Sequence, residues 1–270
     1  MSSDSQSGDK PPDLWFNHVR YDWMNALPRP AWGWELLRRD PRYRTAFRDA
    51  LLHLPQNKQG AWSSVREDCA GWSLCVFEDP DIDVRAANVL WHPEARRDVL
   101  PLIAGTRQDN TVAERLSLEG LRCRVTVHRE EASDRYQILF AQDGRSLQLD
   151  IHGKIHFENG VLQTPISPLS RLRGAQVLTM RRLVDLMAHG YLRPSLYPAY
   201  KRRARLIEVV QALDGEFADA LQRDIALAQF GQDKVERVWH GSQNALRDHV
   251  RKTLKYGRQL MSGGYRRFLG

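Results

Sequence analysis

Cysteine is scarce in the 270-residue chain: Cys69, Cys75 and Cys123 are three in number and lack metal-ligand spacing. That excludes a disulfide framework and a zinc finger, and fits a reducing cytoplasm in which each is a small apolar residue. No apolar run approaches the roughly 20 residues that cross a bilayer. The Ser/Asp/Pro-rich stretch from Met1 to Asp13 carries no apolar run either, so a disordered tail is expected there and not a signal peptide. A phosphate-cradling glycine loop and a nucleophile elbow are also missing, and no catalysis, metal or cofactor is expected. What is present is an ordinary globular composition, 42% hydrophobic and 27% charged, which excludes wholesale disorder.

Charge is unevenly distributed. Residues 1–150 hold 20 Lys and Arg against 23 Asp and Glu, whereas residues 151–270 hold 20 against 10. A basic second half points to a polyanion, with nucleic acid as the default partner, although a solvated basic surface gives the same count.

The pattern along the chain predicts an α+β protein with a helical N-terminal module, a small antiparallel sheet and a C-terminal helical domain. After the tail (1–13), residues 14–54 are dense in aromatics and read as the helical module. A helix is expected over Ala31–Arg39. A second follows, with Asp40 as N-cap, Pro41 at its first position, and Tyr43, Phe47, Leu51 and Leu54 on one face. Residues 55–66 are polar and read as a linker. The region 67–168 is β-rich: Arg122–His128, Tyr136–Phe140 and Ser146–Ile151 are strands, the last two joined by Asp143-Gly144, and His156–Leu162 is a further pair. Residues 169–270 are helical, beginning with Met180, Leu183, Val184 and Met187 on one face and Gly190 as the stop.

The last seventy residues carry the sharpest signal. Leu206, Val209, Val210 and Leu213 form an apolar stripe ended by Asp214-Gly215, and Asp219 with Gln222 suits a capping box. A short helix through Ile225-Ala226-Leu227 closes at Phe230-Gly231. After a loop, Ser242 caps a long helix to about Met261, with Leu246, Val250 and Leu254 inward and Arg247, Arg251 and Lys255 on the neighbouring face. This is the grammar of a helix-turn-helix. A helix about 10–12 Å across fits the roughly 12 Å major groove of B-DNA. Gln243, Asn244 and Arg247 are the candidate base contacts. Arg251, Lys252, Lys255, Arg266 and Arg267 are the candidate phosphate contacts, with Arg223 clamping the backbone from the preceding helix. A solvated face and ordinary capping are the bland alternatives. The tail Gly263–Phe268 is either a basic arm or a terminus that tucks Tyr265 and Phe268 into the core.

The runs Arg205-Leu206, Ala212–Gly215, Arg223–Ala226 and Phe230-Gly231, continued by Leu246–Lys252 and Leu260–Arg266, resemble the C-terminal domain of certain proteobacterial transcription regulators. That domain is shared by RovC-like activators of type VI secretion and FseA-type activators of integrative-element excision. Trp32–Arg44 is similar to the module that precedes it in those proteins, and Phe77–Pro80, Val89–Pro93 and Val99–Leu102 resemble their middle stretch. The resemblance implies a DNA-binding activator whose N-terminal module touches RNA polymerase. Members with the C-terminal domain alone can be antiactivators that bind another regulator, so a protein-binding adaptor is the alternative. One reading helix is usually too little for affinity, which makes a homo-oligomer the expected state.

Other constellations are weaker. Asp150 with Lys154 hints at a nuclease strand without the supporting acids. His152 and His156 share a parity, and Asp79, Asp81 and Asp83 alternate in a Pro-bounded loop; both read as surface polarity. Trp32 and Trp34 diverge by about 200° on a helix. Packing of both is the commoner outcome, but exposure of one would make it an anchor, so with Arg38 they are the candidate protein contacts.

Overall fold

In the computed structural model, residues 14–52, 69–105, 116–130, 133–158, 160–164, 166–168, 171–239 and 245–270 are described. The expected tail (1–13) and linker (55–66) lie outside them, as do Ser242, Gln243 and Asn244. The chain forms two compact units, each drawn from separated segments. One holds the described residues of Met1–Ala26 and Tyr200–Leu260, the other those of Leu27–Ala199 and Met261–Gly270. A partition in chain order does not anticipate this, because the contacts that decide it join residues far apart in sequence. Gln211 Nε2 donates to the Trp15 carbonyl in the first unit, and the Tyr265 hydroxyl donates to the Trp72 carbonyl in the second.

The second unit is built on a sheet. Its strands are β1 (Leu100–Ala104), β2 (Arg124–Glu130), β3 (Arg135–Gln142), β4 (Arg145–His152) and β7 (Ile166–Pro168), in the order β2-β3-β4-β1-β7. The two short strands β5 (Phe157–Glu158) and β6 (Val161–Leu162) pair separately. The hairpin expected at Asp143-Gly144 is present, with φ of 48° and 78° at the two turn residues, the signature of a turn that follows the strands' own twist. Its register sets Ile138 opposite Leu149 and Phe140 opposite Leu147. The sheet is mixed, not antiparallel throughout, because β1 runs parallel to β4. Pro101 and the lack of alternation hide β1 from a pattern reading.

Both faces of the sheet are covered. Ile138, Phe140, Leu147, Leu149 and Ile151 form one core with Leu183 and Leu186 of α3 (Gly174–His189). The N–H of Gly190, at φ 75°, donates to the Leu186 carbonyl and ends that helix as expected. Val184, expected inward, is 57% exposed, because Leu183 and Leu186 set the buried face.

The opposite face of β3 and β4 carries a buried polar row. Gln148 takes the N–H of Trp91 on Oε1 (3.2 Å) and donates to its carbonyl (2.7 Å) and to Gln137 (2.9 Å). Gln137 donates to Asp150 (2.6 Å), whose carboxylate also holds Arg135 through two bonds of 2.7 and 2.8 Å. Burial raises the proton affinity of Asp150, but the Arg135 hydrogen bonds and charge outweigh it and hold the carboxyl below its usual range. This carboxylate is therefore structural.

Helices α1 (Arg29–Leu37) and α2 (Pro41–Leu52) complete the unit. The Asp40 side chain accepts the Arg42 N–H at 2.9 Å, as the predicted N-cap should. The inward stripe of α2 is Tyr43 and Ala50; Leu51 is exposed, and Leu54 lies outside the described residues. Every residue of α1 from Ala31 to Leu37 is buried. Trp91 and Leu269 approach at Gly33, and Trp34 donates to the Ile82 carbonyl at 2.9 Å and meets Tyr43 edge-on. A helix enclosed on all sides buries residues two apart. Trp32 and Trp34, both 0% exposed, are therefore not available as surface contacts. Arg38 is held to Glu35 at 2.8 Å and to the Pro80 carbonyl at 3.1 Å, so it too is internal bracing.

Replacing Gln148 by Leu keeps its bulk but leaves buried polar groups of Trp91 and Gln137 unpaired. Urea unfolding should show a loss of about 3 kcal/mol. Because the Asp150 carboxyl is held below the usual carboxylate range in the folded chain, the stabilisation from its ionised form is present above that range. It is lost as pH falls through the lower folded value, so the acid limb of a stability-versus-pH curve should flatten in Asp150→Asn.

Candidate nucleic-acid interface

The first unit consists of two 3-10 segments, Leu14–Phe16 and His18–Ala26, and four helices: α4 (Arg203–Phe217), α5 (Gln222–Phe230), α6 (Gln232–Val238) and α7 (Ala245–Met261). Its core gathers Trp15, Ala212, Ile225, Ala226, Val235, Trp239, Leu246, Val250 and Leu254.

Helix α4 does not stop at Asp214-Gly215 but continues to Phe217. Gly215 is a packing residue: a Cβ there would lie 3.0 Å from the Trp15 ring and 3.1 Å from Ile225. Tyr21 donates to the Asp214 carboxylate at 3.0 Å, tying the N-terminal segment to the same turn. At the start of α5, the backbone N–H of Leu221 donates to Asp224 at 3.3 Å, so Asp224 does the capping expected of Asp219 and Gln222. Asp219 instead adopts φ 57°. Phe230 ends α5 as expected, and Gly231 at φ 79° leads directly into α6, a helix where the sequence suggested a loop.

Helix α7 is strongly two-sided. Leu246, Val250, Leu254, Leu260 and Met261 are buried, whereas Arg247, Arg251, Lys252, Lys255 and Arg258 are exposed. Gly257 allows close packing, since a Cβ there would come within 2.9 Å of Leu213 on α4. A polar contact lies beside it: Arg205 donates to Glu208 at 2.7 Å and meets His249 of α7 at 3.0 Å, and Phe230 sits edge-on to the imidazole.

The candidate contact residues fall out unevenly. Arg247, Arg251, Lys252 and Lys255 lie together on the outer side of α7, where Arg247 passes over the Trp239 ring and Arg251 pairs with Asp248 at 3.0 Å. Arg223 is half-buried on α5. Gln243 and Asn244 lie outside the described residues. Arg266 and Arg267 belong to the sheet-containing unit, where the 3-10 turn Gly264–Phe268 buries Tyr265 and Phe268. That is the tucked terminus rather than the arm, and Arg266 is bonded to Ser73 at 2.9 Å and to the Gly71 carbonyl. Two exposed cations on α6 were not anticipated: Lys234, over the Phe230 ring, and Arg237. Their signal was the i, i+3 spacing between Gly231 and Trp239.

Residues 163–269 match the family described as T6SS, transcription factor, DNA binding domain, and residues 14–72 match the proteobacterial transcriptional regulator-like domain. The two matches support the resemblance of this chain to such transcription regulators. No curated protein gives a significant match to the regulator. Both matched descriptions are of transcription-regulator domains, and the one described as DNA-binding spans the stretch that contains α4 to α7. No helix among the described residues is long and apolar enough to cross a membrane.

The Leu213–Gly257 approach gives a direct check on α7. Gly257→Ala should lower stability by about 1–3 kcal/mol in denaturant titration through overpacking.

Proposed function

We propose that this regulator is a cytoplasmic transcriptional activator that binds double-stranded DNA sequence-specifically, with no catalytic step. The observation that carries the reading is α7. Its apolar side is fixed in a core and its outer side carries Arg247, Arg251, Lys252 and Lys255, inside a stretch matched to a DNA-binding domain. Groups on the outer side of such a helix can neutralise phosphates while its N-terminal turn reaches base edges.

In this reading residues 169–270 are the DNA-binding region, and residues 14–54 supply the activating contact with RNA polymerase. Gln243, Asn244 and Arg247 read bases; Arg251, Lys252 and Lys255 hold the backbone, with Arg223 as a flanking cation, and Arg267, on the other unit, is a phosphate contact of its own. Arg266 is engaged internally and contributes least. Trp32 and Trp34 support the N-terminal module from inside. A homo-oligomer would join two reading helices on one site.

Fluorescence anisotropy with the regulator's own upstream DNA and a scrambled duplex tests this. The wild-type chain should prefer its own DNA at both low and high salt. The double variant Arg251→Ala/Lys255→Ala should weaken both duplexes alike and reduce the slope of log K against log salt by about 2. Asn244→Ala should change the preference between duplexes instead. A folded double variant that keeps full affinity would remove α7 from the interface. Salt-insensitive behaviour with no DNA binding, together with capture of a second regulator, would favour the antiactivator alternative.

A further inference from the structure

The sheet-containing unit holds a cavity of about 370 Å³, within the size range of small-molecule sites. Pro28, Leu178, Pro198, Phe268 and Leu269 give it mostly apolar walls. Its charged lining is Arg29, Arg97 and Arg182 against Asp98 alone. Asp98 is already taken: Arg96 donates to it at 2.6 Å, and Arg182 reaches it only at 3.5 Å. The Arg96 and Arg182 side chains are 1% and 10% exposed, so one largely buried carboxylate serves two nearly buried cations. A buried charge without its own counter-ion is costly, and an entering anion would relieve it.

Arg182 is fixed in place by two bonds to the Leu196 carbonyl, at 3.1 and 2.9 Å, and by the face of Tyr197, 4.2 Å away. Tyr197 is 5% exposed, and its hydroxyl has no hydrogen-bond partner among the described residues. Arg97 is exposed and makes no side-chain hydrogen bond among them either. An apolar chamber with a preformed cationic wall and an unused hydroxyl is the arrangement that orients an amphipathic anion.

We propose that this cavity binds a small amphipathic carboxylic acid, its apolar body against Leu178, Pro198 and Phe268 and its carboxylate toward Arg97 and Arg182. The site is separate from α7 and stands whether or not that helix reads DNA.

Isothermal titration calorimetry of the full chain with sodium octanoate tests the proposal, with 1-octanol as the uncharged probe. Octanoate should bind at least about tenfold more tightly than octanol, the difference expected of one charge-assisted contact. Arg97→Glu, at an exposed position, should weaken octanoate about tenfold and leave octanol unchanged. Leu178→Trp, which fills the chamber from an exposed helix position, should abolish both. Equal binding of the two probes, octanoate binding that neither variant changes, or no octanoate heat at all would each overturn the proposal.

Discussion

The helical unit depends on burial of the apolar side of α7. Arg247, Arg251, Lys252, Lys255 and Arg258 crowd positive charge onto its other side, relieved within the helix only by Asp248. Neighbouring like charges on a helix cost a few tenths of a kcal/mol per pair. Burial of Leu246, Val250, Leu254 and Leu260 contributes roughly 1.5–3 kcal/mol for each side chain, so the helix holds its cations outward with a wide margin. Every neighbouring feature serves that seat. Trp239 and Trp15 fill the core beneath it, Gly257 lets Leu213 approach, and the Arg205–Glu208–His249 contact limits its rotation about its own axis.

The sheet solves a different problem. Its second face meets the Leu90-Trp91 segment, an isolated bridge rather than a paired strand, so backbone groups there need partners from side chains. Gln148 supplies both, accepting from the Trp91 N–H and donating to its carbonyl as an adjacent strand would. Gln137, Asp150 and Arg135 then satisfy the rest of the row. A buried polar row of this kind is tolerable only when it is complete. Glu35 in α1 follows the same rule: fully buried, it accepts from Arg38, Arg39 and the Val84 N–H.

What could be read from the residues was whatever is local. The Asp143-Gly144 turn, the Asp40 cap, Gly190 and the alternation of Leu246, Val250 and Leu254 with Arg247, Arg251 and Lys255 each depend on neighbours within a few positions. What escaped depends on distant partners. Gly215 looks like a helix stop, and only the approach of Trp15 reveals why a glycine sits inside α4. Helix α6 has Val235 as its one buried side chain, too little apolar signal to show its period. The parallel strand β1 gains its identity from β4, and Trp32 with Trp34 needed the Trp91 and Leu269 walls to be buried together. Of the interface, the α7 cation row was legible because amphipathicity is periodic. The inward commitment of Arg266 was not, because its partners Ser73 and Gly71 lie at the other end of the chain.

The interleaving of the two units has a consequence for synthesis on the ribosome. Trp15 and Tyr21 emerge first, yet their partners, Gln211, Asp214 and Gly215, are made almost two hundred residues later. At about 5–20 residues per second this leaves an aromatic segment waiting on the order of ten seconds or more for its seat. The sheet-containing unit waits still longer, since Tyr265, Phe268 and Leu269 follow α7 and close over α1. The helical unit thus cannot be finished before α7 has left the tunnel, so the basic helix and the core that seats Trp15 are completed together.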